Sequence, residues 1–284
     1  MSSTAKCGVS IADVIHEGGR FGFLLVHRLG GVPADVGYIA DGLARAGYSV
    51  NCPLLYGHGG SRALLAATTW RQWFDTVREA HDALSQRCDK IIVGGLGVGA
   101  MLALALAIER RARIDGLALF APTFWSNGWA MPWYGTALRL VGNKRLANLF
   151  RFDERQPFGV KDAALRGAML DAQVRDGRSS EDVLGRSGGA LLEVKWLAQH
   201  ITPRLGEVTQ PCLIFHPRYD DRSALSASQG LQKQLGGVVD LIVLDDSYHL
   251  VTLDRQRALV LERVLEFADA LPQLTAQGSP EQVD

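Results

Sequence analysis

Ile91-Ile92-Val93-Gly94-Gly95-Leu96-Gly97-Val98-Gly99-Ala100 is the stretch whose reading decides the fold. Three β-branched residues make a short apolar run, glycines at 95, 97 and 99 make a tight turn, and Val98 to Arg111 continues with the spacing of a helix. A continuous apolar run without alternation suits a strand covered on both faces. Outward from this unit the same alternation repeats. Phe21 to His27 is a buried strand, Arg28-Leu29-Gly30-Gly31-Val32-Pro33 breaks it, and Ala34 to Ala46 is a helix ended by Gly47. Tyr48 to Pro53 is a second strand, followed by the glycine loop Tyr56 to Ser61 and a helix from Trp70 to about Arg87 capped by Thr69. Gly116 to Phe120, Pro211 to His216 and Val238 to Leu244 are further strands, with helices over Ser223–Leu235 and Leu253–Leu271. Strands alternating with helices predict an α/β fold, a mostly parallel sheet with helices on both faces.

The alternation is interrupted between Ala121 and Leu205, where no buried strand is expected. Helical stretches there fall around Ala137–Asn148 and Ala190–His200, and Trp125, Trp129 and Trp133 recur at a spacing that lets them share one helix face, a helix weakened by Gly128 and Pro132. The expected organisation is a core of residues 1–122 and 206–275, a helical cap or lid at 123–205 and a flexible tail at 276–284.

Composition bounds the partners. Lys+Arg and Asp+Glu both number 30, so the basic excess of a nucleic-acid binder is missing. The longest apolar run, Ala100 to Ile108, is too short for a membrane span, and Met1–Lys6 lacks the apolar centre of a signal peptide. The four cysteines (Cys7, Cys52, Cys88 and Cys212) are scattered without a CxxC pair, which reads as reduced thiols in a cytoplasmic protein with no metal site.

Three features lie at the carboxyl ends of predicted strands, where open α/β sheets place their ligands: the Gly97 turn, Arg218-Tyr219-Asp220-Asp221, and Asp245-Asp246-Ser247-Tyr248-His249. An acid beside an imidazole is the pair that orients and charges a general base. From residues alone the acid stays open between Asp220 and Asp221, with Asp245 and Asp246 as competitors. Gly95-Leu96-Gly97-Val98-Gly99-Ala100 also matches a dinucleotide fingerprint, with Asp115 some distance on. Asp115 precedes its strand rather than ending it, which argues against that reading, and no cofactor is expected.

The motifs together resemble the α/β-hydrolases of the carboxylesterase and monoacylglycerol-lipase-like (serine-aminopeptidase-like) branch. Leu24-Leu25-Val26-His27-Arg28-Leu29-Gly30-Gly31 resembles their oxyanion loop L-L-x-H-G-F-x-G, Leu54 to Gly59 with Thr69-Trp70-x-x-Trp73 resembles G-H-G…T-W-x-x-W, and Ser247 to Asp254 resembles S-x-H-x-x-T-L-D. The turn, acid, histidine order is theirs as well. The resemblance implies an α/β-hydrolase fold with a helical cap, Asp220 as acid, His249 as base, and Leu29 and Val98 as backbone donors of the oxyanion hole. Beside the resemblance, His27 and His58 read as loop-shaping residues; Trp125 and Trp129 read either as walls of an apolar acyl pocket under the cap or as packing of the insert on the core, and Arg28 as a substrate-binding residue that would hold a carboxylate or phosphate. The substrate class that the resemblance implies is an acyl ester or thioester. Two positions depart from the pattern: Gly97 stands where the nucleophilic serine belongs, and Arg28 replaces the glycine after the loop histidine. Glycine has no oxygen, so a seryl acyl-enzyme cannot form. Engineered inactivation would leave the oxyanion loop alone, so the change at Arg28 favours natural divergence. Three functions are then open: an acyl hydrolase by lineage without its nucleophile, a His-Asp dyad enzyme with non-covalent or non-hydrolytic chemistry, and an inactive acyl-ligand-binding pseudo-hydrolase.

Overall fold

The computed structural model describes residues 12–125, 127–130, 140–153, 156–175 and 185–277. Its strands are β1 (Val14–His16), β2 (Phe21–Val26), β3 (Ser49–Cys52), β4 (Lys90–Leu96), β5 (Gly116–Phe120), β6 (Arg151–Asp153), β7 (Gly185–Ser187), β8 (Cys212–Pro217) and β9 (Val239–Leu244). The helices are α1 (Gly37–Arg45), α2 (Arg62–Ala67), α3 (Trp70–Ser85), α4 (Val98–Glu109), α5 (Lys144–Ala147), α6 (Ala163–Arg175), α7 (Gly188–Ile201), α8 (Leu225–Gln234) and α9 (Arg257–Gln277). Seven strands form one sheet in the order β1-β3-β2-β4-β5-β8-β9, parallel throughout except for β1, which runs antiparallel to β3.

Period-two alternation sorts each strand between two apolar layers. Leu24, Val26, Val93, Leu117 and Ile214 face the layer shared with α3, α4 and α7, whereas Phe23, Leu25, Ile92, Phe120 and Phe215 face α1 and α9. Val98 to Ile108 of α4 is buried around its whole circumference, which explains its unbroken apolar run. In α3 the reciprocal Thr69–Gln72 capping box starts the helix, and Trp70, Trp73, Val77 and Leu84 bury one face. The seven-stranded, mostly parallel sheet flanked by helices is the α/β-hydrolase fold expected from the motifs.

Four local expectations are corrected. β1 was not legible, because three residues at a sheet edge carry too little pattern. Between β5 and β8 a short antiparallel ladder joins β6 to β7, with Phe152 of β6 buried, where no buried strand was expected. The final helix continues through Pro272 to Gln277, since Val260, Val264, Phe267 and Leu271 dock its preceding turns on the core. The tryptophan helix does not form: Trp125 and Trp129 lie in irregular chain, and Trp133 lies outside the described residues. The cause is close backbone packing. A Cβ on Gly128 would come within 2.3 Å of the Asp221–Arg222 backbone, and the N–H groups of Gly128 and Ala130 donate to Arg222 and Asp221 carbonyls at 2.8 and 3.1 Å rather than within a helix. Residues 137–139 of the expected 137–148 helix and residues 278–284 of the expected tail also lie outside the described residues, and of the rest of that helix only Lys144–Ala147 is α-helical.

Candidate active site

The site forms at the carboxyl ends of β2, β4, β5, β8 and β9. The turn after β4 is fixed by close approach. A Cβ on Gly99 would lie 2.1 Å from the Val26 carbonyl oxygen, and one on Gly95 would lie 2.4 Å from the Gly99 backbone. Gly97 adopts φ +59°, ψ −110°, a conformation that favours glycine. A Cβ there would sit 3.2 Å from His249 Nε2, 3.7 Å from Arg28 Cβ and 3.7 Å from Thr123 Oγ1.

His249 is 4 % exposed and its Nδ1 donates to Asp220 Oδ2 at 2.9 Å. The other carboxylate oxygen of Asp220 accepts the backbone N–H groups of Arg222 (2.7 Å) and Ser223 (3.1 Å). Burial alone would push this carboxyl up, but the His249 imidazole, the neighbouring His216 and the Arg222 N–H outweigh it and hold Asp220 below the usual carboxylate range. Asp220 therefore stays ionised and fixes the imidazole with Nε2 aimed at position 97.

The acid that sequence reasoning left open beside it behaves differently. Asp221 is fully buried, not a solvated loop charge. Its Oδ2 accepts Gly159 N–H at 2.9 Å and lies 3.2 Å from Arg222 Nε, and its Oδ1 accepts the His249 N–H at 3.4 Å. Asp245 and Asp246 are spent on surface ion pairs with Arg218 and with Lys161 and Arg255. Asp115 accepts Ile91 N–H at the opposite ends of the strands, away from the glycine turn, so the dinucleotide geometry is not formed.

Leu29 and Val98 both border a cavity of about 20 Å³ beside Gly97 and His249. Leu29 sits in the turn closed by Gly31 N–H to the Arg28 carbonyl, with Gly30 at φ +70°, and Val98 opens α4, where N–H groups have no intrahelical partner. His27 holds this loop: its Nδ1 donates to the Arg28 carbonyl at 2.9 Å, and its Nε2 accepts Leu55 N–H at 3.1 Å. His58 stands edge-on to both His27 and Trp73. Burial pushes His27 down to about 4 and His58 down to about 3, so both are neutral. Each is protonated in the unfolded chain below about pH 6.5 but resists protonation when folded, so stability rises with pH between about 4 and 6.5. Urea unfolding across pH 7 to 4 is expected to lose about 1.4 kcal/mol per pH unit for each imidazole below 6.5; a flat profile would contradict the buried neutral pair.

Arg28 borders the cavity, but its Nε lies 3.2 Å from Asp35 Oδ2, so its charge is matched within the protein. Trp129 is 59 % exposed, donates from Nε1 to the Tyr219 carbonyl and meets Tyr248 edge-on, away from the cavity walls. Trp125 is half-buried against the α4 and α7 layer. Walls that the sequence did not announce are Leu191 and Val194 of α7, Arg222 and Thr123. Thr123 follows β5 by three residues, so the strand-end rule points to it in hindsight; α7 gave no such signal. The Thr123 hydroxyl donates to the Ala121 carbonyl at 3.0 Å, and Ala121 is held at φ +43°, a left-handed conformation that costs a non-glycine residue about 1–3 kcal/mol.

Residues 22–256 match the family described as serine aminopeptidase, S33. The chain belongs to that family. A thermostable monoacylglycerol lipase from Bacillus sp. (strain H-257) is 29 % identical to this S33 chain over 264 residues, covering 88 % of it and 91 % of the lipase. Two solved structures share its fold. One, from work on the metagenome-derived lipolytic enzymes LipS and LipT, has a TM-score of 0.74 at 24 % identity and covers 91 % of this chain and 97 % of that one. The other, the Paleococcus ferrophilus monoacylglycerol lipase, has a TM-score of 0.73 at 14 % identity and covers 93 % and 100 %. The S33 chain is thus of lipase- and esterase-like α/β-hydrolase lineage with glycine at its turn. Among its described residues no helix is long and apolar enough to cross a membrane, and no group of three or more His, Cys, Asp or Glu is arranged to hold a metal ion.

Proposed function

We propose that this chain hydrolyses a small acyl ester or thioester without an acyl-enzyme, His249 activating a water in the space that Gly97 leaves. The observation that carries the reading is the retained base: His249 Nε2 lies 3.2 Å from the Cβ position of residue 97, and Nδ1 is held by Asp220 at 2.9 Å. In this reading Asp220 orients the imidazole and stabilises its charged form, and the N–H groups of Leu29 and Val98 receive the developing oxyanion. Residues 123–205 act as a cap whose α7 side chains Leu191 and Val194 close over the acyl group. Arg28 contributes its aliphatic stem to the wall, and Trp125 and Trp129 brace the cap at its entrance. The three described cysteines are buried and unpaired with one another, in keeping with a reducing, cytoplasmic setting.

Turnover of p-nitrophenyl esters of increasing chain length tests this. His249→Ala is expected to lower kcat by about 10²-fold or more, the range of general-base catalysis, while a fluorophosphonate probe labels neither protein. Equal rates for the two proteins would overturn the route. The second reading, an acyl-ligand-binding pseudo-hydrolase, is favoured by the size of the cavity, about 20 Å³, which leaves little room for turnover unless the cap moves. It predicts stoichiometric recovery of an acyl ligand from the purified protein by mass spectrometry.

A further inference from the structure

We propose that Thr123 completes a water site at the place a serine oxygen would occupy, and so positions the hydrolytic nucleophile; the catalytic half of this inference rests on the proposed function above. A buried water needs about 10–15 Å³ and two to four polar partners. The cavity beside Gly97 offers about 20 Å³, enough for one water. Its walls supply His249 Nε2 and Thr123 Oγ1, 3.2 and 3.7 Å from the position a Cβ at residue 97 would take. Leu29 and Val98 border the same cavity, and in the proposed reaction their N–H groups are kept for the oxyanion.

The direction of the threonine hydroxyl decides its role. Its proton is committed to the Ala121 carbonyl at 3.0 Å, so toward the cavity Oγ1 presents lone pairs and acts as an acceptor. It therefore does not replace serine as a nucleophile. It takes one water proton as a hydrogen bond and leaves the other for His249. Ala121, whose carbonyl accepts that proton, stands at φ +43° immediately before Pro122. Strain at a site wall is the kind of outlier that points to function.

The step balances. The water proton not held by Thr123 passes to His249 Nε2 as the water oxygen bonds to the acyl carbon. The oxyanion so formed collapses, the acyl C–O or C–S bond breaks, and the leaving alkoxide or thiolate takes the proton back from His249. The products are the carboxylic acid and the alcohol or thiol, and Thr123 exchanges no proton.

Two variants and two readouts test this. Thr123→Val keeps the shape and removes the acceptor; it is expected to lower kcat by about tenfold with KM within about twofold. Thr123→Ser restores the acceptor and is expected to return kcat to near the parent value, a rescue that a packing role for the lost methyl would not give. A high-resolution crystal structure is expected to place an ordered oxygen within about 3 Å of both Thr123 Oγ1 and His249 Nε2, and Thr123→Val to lose it. If turnover proves independent of His249, the proposed function falls while the crystallographic readout still decides the water site. If turnover depends on His249 but Thr123→Val matches the parent, Thr123 does not position the nucleophile. An oxygen missing from the parent structure, or unmoved in Thr123→Val, overturns the water site itself.

Discussion

The Gly97→Ser variant is expected to gain fluorophosphonate labelling and to hydrolyse p-nitrophenyl esters about 10³-fold or more faster than the parent chain. Removing a nucleophilic serine from an intact triad costs on the order of 10⁶ in kcat, and the part left to the oxyanion hole and binding is about 10³–10⁴ over water. Restoring the oxygen should recover most of that difference if the remaining parts are in register. Their geometry says they are: a Cβ at 97 meets His249 Nε2 at 3.2 Å, so the ring must give by a few tenths of an ångström, and its other neighbours stand at 3.7 Å. The backbone at φ +59° strains any side chain, so the variant should also lose about 1–3 kcal/mol of stability. Gly97→Ala separates the two effects, since it carries the strain without the oxygen and should stay unlabelled. Labelling of Gly97→Ser without turnover would place the fault in the oxyanion loop around Arg28. A variant that neither labels nor turns over would show that the loop and the base have both diverged, and would favour the binding reading.

The second large effect is on stability. Asp221→Ala is expected to destabilise the protein by about 3–5 kcal/mol, a fall in Tm on the order of 10 °C. The carboxylate is fully buried, and its loss leaves the buried Arg222 guanidinium without that counter-charge. It also removes the acceptor for the Gly159 and His249 N–H groups. Replacing the pair together, as Asp221→Ala with Arg222→Leu, should recover part of the loss, because the cost of an uncompensated charge disappears. Thermal unfolding by circular dichroism decides it; a Tm within about 2 °C of the parent would mean that Asp221 contributes little. If the double variant is no better than the single one, the cost lies in the hydrogen bonds rather than in the charge.

Most of the fold was legible because strands buried on both faces leave unmistakable runs, and because glycines forced by backbone contact at 95 and 99 mark the turn. Strand edges fell within a residue or two. What escaped was decided by contacts distant in sequence. Nothing in Trp125-Ser126-Asn127-Gly128-Trp129 states that Gly128 will pack on Arg222, yet that contact, and not helix spacing, sets the path of the chain. The positions brought together around Gly97 were mostly readable, since His249, Asp220, Leu29 and Val98 all follow strand ends. Asp221 was read only as a rival for the acid, because adjacent aspartates in a loop do not say which of them is buried or what it anchors. Only the fold shows it buried, with Gly159 on one side and the His249 loop on the other. Thr252 and Asp254 were read as motif letters, whereas their chemistry is anchoring: Thr252 donates to the Asp35 carbonyl, and Asp254 accepts the N–H groups of Tyr248, Lys161 and Asp162.

Both flanks of the chain between β5 and β8 are tied to the loops that carry Asp220 and His249. On one side Gly128 and Ala130 donate to the acid loop, and on the other Gly159 is held by Asp221 while its carbonyl accepts Leu250 N–H next to His249. Such wiring acts as an interlock. A shift of either flank therefore pulls on the backbone beside Asp220 or on the turn that carries His249, so the setting of that pair depends on chain far from it in sequence.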